Sequence, residues 1–355
     1  MKLRRIEIEH VRSLRAFAWS PGDFNLVEGD GAHDLLRALA LFAASAQGWS
    51  RFSELMSAEP RPDPELLRDG SIETTWKVTL APDPDGQHEF LSELVVERFH
   101  GEPGWEVVFE RIARFDDFDD IELLGRRGGR CEFTLSPPKR GFSSGSNAPK
   151  KKESARVAGD MTALGALPKF RADPRVSAHA DAIADWALYQ DFDVTHGAPA
   201  RKPSVERWFH GRLAEDGCNL INVLYNIHDW YAARDTFARA LRSVIPGFDR
   251  WIFPPVGEME VGLALRTRDG VTTSLSELPD PVLRAVLVFA ALASPEPPQV
   301  TWLDSPEKSL PAWSIPALAE LAREAAGKTQ VVISGASPAL GRRLRELGAS
   351  VTSLP

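Results

Sequence analysis

Seven consecutive residues carry the most chemical content at the N-terminal end of the chain: Glu28, Gly29, Asp30, Gly31, Ala32, His33 and Asp34. They stand between the apolar stretch Phe24–Val27 and a long apolar run beginning at Leu35. A short strand, a glycine turn and then a helix is the setting in which backbone N–H groups and a helix N-terminus cradle phosphate. A working loop of that kind reads GxxxxGK[ST], yet between Glu28 and Leu36 there is no Lys, Ser or Thr. Carboxylates at the positive end of a helix satisfy its dipole and repel a triphosphate, so Glu28, Asp30 and Asp34 are expected to act as helix caps. The setting of a nucleotide site is present, and the groups that would do its chemistry are not.

Other chemistries find less support. The eight histidines (His10, His33, His88, His100, His179, His196, His210 and His228) never pair at metal-ligand spacing, and no HExxH, GxSxG or CxxC occurs. Cys131 and Cys218 lie far apart, which disfavours a disulfide framework and a thiolate metal site. Asp116, Asp117, Asp119 and Asp120 form either a cation site or a solvated acidic loop. Lys139, Arg140, Lys150, Lys151 and Lys152 belong to a Pro-, Gly- and Ser-rich stretch, 136–153. It reads as a solvated mobile loop or, failing that, as a contact for a nucleic-acid backbone.

The elements that position these residues follow from periodicity. Lys2–Val11 alternates apolar and charged side chains and predicts a half-buried strand. Leu35–Ala46 predicts a buried helix, and Ile72–Leu80, Phe90–Phe99 and Trp105–Ile112 predict an antiparallel meander. Helical spacing dominates 160–244, including Ala178–Tyr189 and Val205–Tyr231, with Trp186, Trp208 and Trp230 as core anchors. Beyond Pro246 strands and helices alternate: a helix Val282–Leu292, a strand Val300–Asp304, a helix Ile315–Ala325, a strand Gln330–Ser334, a helix Ala339–Leu347 and a last strand near Val351. That alternation predicts a parallel sheet with crossover helices.

Composition sets outer limits. With 355 residues, 43% hydrophobic and 26% charged, the chain is an ordinary globular sequence of one large or two smaller domains. A net charge of −8 argues against a dedicated nucleic-acid coat. No apolar run reaches about 18 residues and the N-terminus is a charged strand, so the expectation is a cytoplasmic protein without a membrane contact.

Four separated segments, KLRRIEIEHVRSL, FNLVEGDG, AEDGCNL (Ala214–Leu220) and Leu275–Pro338, together resemble the RecF/SMC-like predicted ATPases. These are ABC-type P-loop proteins, often classed as AAA ATPases. The resemblance spans nearly the whole chain in order and spacing, and departs from the family at its catalytic positions. The family's GxNGxGK[ST] loop is matched at Gly31, with two residues deleted before Leu35 and no counterpart of its Lys or Ser/Thr. Its signature, similar to LSDGTLR, is here Leu278-Pro279-Asp280-Pro281-Val282-Leu283-Arg284, so Pro279 and Pro281 replace its serine and glycine. Asp304 matches the magnesium-binding aspartate, Ser305 stands where the water-activating glutamate would be, and Ala336 replaces the switch histidine before Ser337-Pro338.

The resemblance implies an α/β fold: an ABC-type head with a mixed sheet, crossover helices and an antiparallel β lobe. Its expected parts are an N-terminal lobe (1–113), a mostly helical insertion (114–244) and a C-terminal α/β lobe (245–355). Its altered positions imply a pseudo-ATPase acting as an interaction or regulatory module. No cofactor is expected, no catalytic residue remains, and Asp304 is a vestigial metal position or a strand-end carboxylate. The partner implied is a protein, in a homodimer or with a competent ATPase or an effector. DNA is an open second partner, and the setting is DNA repair or defence against phage. The alternative is a weak, atypical ATPase acting on DNA with ATP and magnesium.

Overall fold

The computed structural model describes residues 1–47, 73–80, 89–98, 104–115, 120–135, 152–166, 173–204 and 211–354. The chain divides into two compact units, one of Met1–Pro21 with Asp34–Trp186, the other of Gly22–His33 with Ala187–Pro355. In chain order the first elements are β1 (Leu3–Val11), β2 (Leu14–Trp19), β3 (Phe24–Glu28) and helix α1 (Gly31–Ala46). Strand β3 and the first residues of α1 belong to the second unit, and α1 from Asp34 onward to the first.

The first unit is built on an eight-stranded sheet. To β1 and β2 it adds β4 (Glu73–Leu80), β5 (Glu89–Arg98), β6 (Trp105–Phe115), β7 (Asp120–Arg127), β8 (Arg130–Thr134) and β9 (Lys152–Arg156). The order is β2-β1-β4-β5-β6-β7-β8-β9, and every neighbouring pair is antiparallel. Alternation explains it: Leu3, Ile6, Ile8 and Val11 are buried, while Arg4, Arg5, Glu9 and His10 are exposed. Helix α1 contributes Leu35, Leu36, Leu39 and Phe42 to this core, and the Trp76 indole N–H donates to the Ala38 carbonyl at 3.1 Å.

The second unit holds a parallel sheet and a small antiparallel one. Its strands are β10 (Ala187–Tyr189), β11 (Phe248–Ile252), β12 (Ala264–Thr267), β13 (Thr272–Ser274), β14 (Val300–Asp304), β15 (Gln330–Ser334) and β16 (Ser350–Ser353). The parallel order is β10-β14-β15-β3-β16, and β11-β12-β13 pair antiparallel. Strands β3, β14 and β15 are near-continuous apolar runs because helices cover a parallel sheet on its faces. Those helices include Leu220–Asp229, Tyr231–Val244, Asp280–Leu292, Ile315–Ala325 and Pro338–Glu346. The parallel register places the carboxyl ends of β3, β14 and β15 (Glu28, Asp304 and Ser334) along one edge, where ligands of open α/β sheets bind.

Four expectations need correction. The segment expected as a mostly helical insertion (114–244) begins with strand: β7, β8 and β9 continue the antiparallel sheet. Their hairpin turns on Gly128-Gly129, with Gly128 at φ 55°, a backbone that glycine adopts without cost. Within Ala178–Tyr189 the helix ends at Ala184, and Ala187–Tyr189 pairs in parallel with β14. Helix α1 begins at Gly31, so Gly31, Ala32, His33 and Asp34 are helical and not loop. Trp186 is buried as expected, but Trp230 is 51% exposed. Asp116, Asp117, Asp119, residues 136–151 and Trp208 lie outside the described residues.

Candidate functional site

The carboxyl end of β3 leads into α1 through only Gly29 and Asp30. Gly29 has φ 101°, and a Cβ there would stand 1.9 Å from the Leu354 carbonyl oxygen. Only glycine fits that conformation and that approach. The Leu354 N–H donates to the Glu28 carbonyl at 2.7 Å, so the residue after β16 lies over the turn. A phosphate-cradling turn needs several successive N–H groups converging on one point. Here only two residues separate strand and helix, one of them beneath a neighbouring backbone.

Asp30 directly precedes α1 and Asp34 lies in its first turn, while Glu28 and Asp34 also take cationic partners. Arg345, on the helix Pro338–Glu346, donates to both carboxylate oxygens of Glu28. Asp34 accepts from the Ser13 N–H at 3.2 Å and lies 3.6 Å from the Arg12 guanidinium. Asp30 is exposed. Glu28 and Asp34 are therefore matched by cations, and the repulsion expected of them is largely cancelled. Gly31 and Ala32 are buried in the first turn of α1, where the Ala32 N–H bonds to the Gly29 carbonyl.

His33 points the other way. Its Nδ1 lies 3.5 Å from Asp304 Oδ2, with the imidazole 48% exposed and the carboxylate 16%. The second oxygen of Asp304 is held as well. The Trp302 indole donates to Ser334 Oγ at 2.8 Å, and Ser334 Oγ donates to Asp304 Oδ1 at 2.7 Å. This relay fixes the carboxylate from the buried side and leaves His33 on its open side. Next to it Ser305 adopts φ 48°, and its N–H bonds to the Ser334 carbonyl at 2.8 Å. Gly335, at φ 61°, leaves room for Ser305: a Cβ there would meet Ser305 Oγ at 2.3 Å. Ala336 packs against the core, and Glu307 accepts from the Ser337 N–H at the start of the next helix.

Pro279 and Pro281 sit at the N-cap and the first turn of the helix Asp280–Leu292, where a missing N–H costs nothing. Sequence reasoning missed what holds this segment. Arg201, 7% exposed, donates to the carbonyls of Leu278 at 2.8 Å and of Leu275 and Ser276 at 3.2 Å. It also donates to the Val194 and Thr195 carbonyls and to Asp280 Oδ1, the last at 2.6 Å. Nearby, Asp191 takes Lys308 at 2.8 Å and also Arg284. Partial burial pulls the Asp191 pKa up, but the hydrogen bonds from Lys308 and Arg284 outweigh it and hold the carboxyl below its ordinary value. Arg201 belongs to no motif, and its contacts to Leu275–Asp280 span 74 to 79 positions; Arg284 closes the signature-like stretch, but its partner Asp191 lies 93 positions away, so no local signal marks either contact.

The strand ends thus bring together Glu28, His33, Asp304, Ser305 and Ser334, and do not bring Pro279 and Pro281 into hydrogen bonding with them. The donor set is one anchored carboxylate already engaged by imidazole and hydroxyl. Magnesium triphosphate requires cationic and hydroxyl donors on the turn itself, and these residues do not fit it.

Comparison with protein families and with curated proteins gives no match to the sequence. Solved structures do match. An SMC head bound to the C-winged helix domain of ScpA aligns with a TM-score of 0.53 at 10% identity, over 97% of this chain and 92% of that one. An SMC head with an extended coiled coil, bound to the C-terminal domain of ScpA derived from Pyrococcus furiosus, aligns with a TM-score of 0.50 at 9% identity, over 96% and 91%. At such identities the likeness speaks to fold alone, and the fold of this chain is that of the SMC heads, an ABC-type ATPase fold.

Proposed function

We propose that the chain is a catalytically degenerate member of this fold, a pseudo-ATPase that serves as a protein-interaction or regulatory module. One observation carries the reading: the phosphate-binding turn is reduced to Gly29 and Asp30 and lies beneath Leu354. Phosphoryl transfer rests on positioning and charge stabilisation, so losing the turn removes the means of catalysis along with the means of binding. The aligned SMC heads are held by ScpA domains, which supports a protein partner here, either a second copy, a competent ATPase or an effector. A setting in DNA repair or phage defence rests on the resemblance in sequence.

Calorimetry with ATP and magnesium tests the reading. The native chain and the Ser305→Glu, Ala336→His double variant are expected to give no magnesium-dependent binding heat that disappears on Asp304→Asn. A variant with a full GxxxxGK[ST] turn grafted between Glu28 and Leu36 is expected to bind. Because Arg345 and Arg12 already match Glu28 and Asp34, the obstacle lies in the missing N–H, Lys and Ser/Thr groups of the turn and not in its carboxylates. Tight, magnesium-dependent ATP binding by the double variant with its native turn, lost on Asp304→Asn, refutes this.

A further inference from the structure

The sheet of the first unit carries an arrangement that the proposed function does not use. In the register of β6 to β9, Phe109 is opposite Arg127, Arg127 opposite Arg130, and Arg130 opposite Arg156. Side chains directly opposite on neighbouring strands point to the same face with Cβ atoms about 4.5–5.5 Å apart, and like charges so placed destabilise a sheet. All three arginines are exposed. Arg130 has an acidic partner, Glu132 at 3.2 Å. Arg127 and Arg156 have no ion pair among the described residues. The neighbouring acid Glu122 is shared between Arg111 at 3.7 Å and Lys152 at 4.0 Å.

Beside this row lies a cavity of about 270 Å³ lined by Phe109, Gly125, Arg126, Arg127 and Arg130 together with the carboxylates Glu122 and Glu132. At Gly125 the floor carries no side chain, and the nearest group is the Glu122 carboxylate. The opposite face holds the hairpin rigid. Arg126 is fully buried and donates to the carbonyls of Gly128 at 2.7 Å and Ala158 at 2.9 Å, and also to that of Met161. A row of guanidinium groups on one face is a fork for phosphate oxygens. An aromatic ring at the end of the row is a surface for a flat body.

We infer that the Phe109, Arg127, Arg130 and Arg156 face binds a phosphate ester carried on a flat ring, with a nucleoside monophosphate as the unit that matches both halves. The phosphate lies over the arginines, and the base lies on Phe109 above Gly125. The unit is either a free mononucleotide or one residue of a single-stranded nucleic acid. The strands of this face are separate from the Gly29 turn, so the inference stands whether or not the chain is a pseudo-ATPase.

Calorimetry on the full chain with adenosine monophosphate, inorganic phosphate and a six-residue oligothymidylate tests it. The expected result is binding of the mononucleotide that weakens at least fivefold in Arg127→Gln and in Arg156→Gln, and that is lost in the double variant. Both arginines are exposed and face like charges, so thermal melts of these variants should show no loss of stability relative to the native chain. Phe109→Leu should weaken the mononucleotide and leave inorganic phosphate unchanged. Binding of the oligonucleotide alone, with the same arginine dependence and a steep loss with salt, supports the inference with nucleic acid as the source. Absence of binding by all three probes, or binding that survives in the Arg127→Gln, Arg156→Gln double variant, overturns it.

Discussion

Replacing Arg201 by leucine is predicted to cost more stability than any change at the degenerate positions. The guanidinium is 7% exposed and is shared among five carbonyls and one carboxylate. Those acceptors are not equal. Asp280 is 62% exposed in its side chain, so it regains water and its share is at most about 1 kcal/mol. Ser276 and Thr195 are exposed and Val194 is half-buried, so water can replace the lost donor at these three. Leu275 and Leu278 are 3% and 5% exposed, and their carbonyls would be stranded. A buried acceptor without a donor costs about 1–3 kcal/mol, so two of them give roughly 2–6 kcal/mol. Leucine returns some apolar packing, which leaves an expected loss of about 2–4 kcal/mol. Urea unfolding followed by tryptophan fluorescence measures it, with hydrogen exchange over Leu275–Asp280 as a local readout. Arg201→Lys keeps the charge but not the fork, and should recover less than half. A loss under about 1 kcal/mol for the leucine variant, with unchanged exchange over that segment, would show that water or repacking satisfies these carbonyls and that the clamp is not what holds them.

Two further outcomes follow from the same geometry. Gly29→Ala forces a side chain into a left-handed backbone position against the Leu354 carbonyl, and should cost about 1–3 kcal/mol. Hydrogen exchange at the Leu354 amide, bonded to Glu28, should accelerate, and unchanged protection would refute the close approach. Asp191→Asn should destabilise most near neutral pH. The Asp191 carboxyl sits below its ordinary value of 3.8, so its contribution is complete above that pH and fades as pH falls through the lower folded value. Urea titrations at pH 7, 5 and 3 should show the gap between native and variant closing only at the acid end, and a gap that widens on acidification would reverse the assignment.

Much of the second unit was legible because its strands are short apolar runs bounded by breakers. Val300–Asp304 ends at Ser305-Pro306 and Gln330–Ser334 at Gly335, and both strands were predicted at the observed limits. The start of α1 was misplaced because Gly31 and Asp34 have low helical propensity, whereas the early start places His33 in reach of Asp304. That approach depends on the parallel register of β14, β15 and β3, which single-chain periodicity does not encode. The β7–β8 hairpin carries a usable sign, Gly128-Gly129 between Arg-flanked apolar stretches, which the boundary implied by the resemblance at 114 overrides. Strand β10 was absorbed into a helix because Ala-Asp-Trp-Ala-Leu-Tyr satisfies a helical period as well as a buried strand.

The insertion of β3 between β15 and β16 also bears on how the protein is made. Asn25 bonds to the Val331 carbonyl across 306 positions of chain. At ribosomal speeds of about 5–20 residues per second, the N-terminal strand waits roughly 15–60 s for the partner that covers it. Phe24, Leu26 and Val27 leave the ribosome early and stay uncovered for that interval, while the antiparallel sheet has its own strands at hand long before. Nascent chains released before β15 is made keep this strand uncovered, so the biosynthetic hazard of the protein concentrates in one five-residue segment, a binding target for holding chaperones.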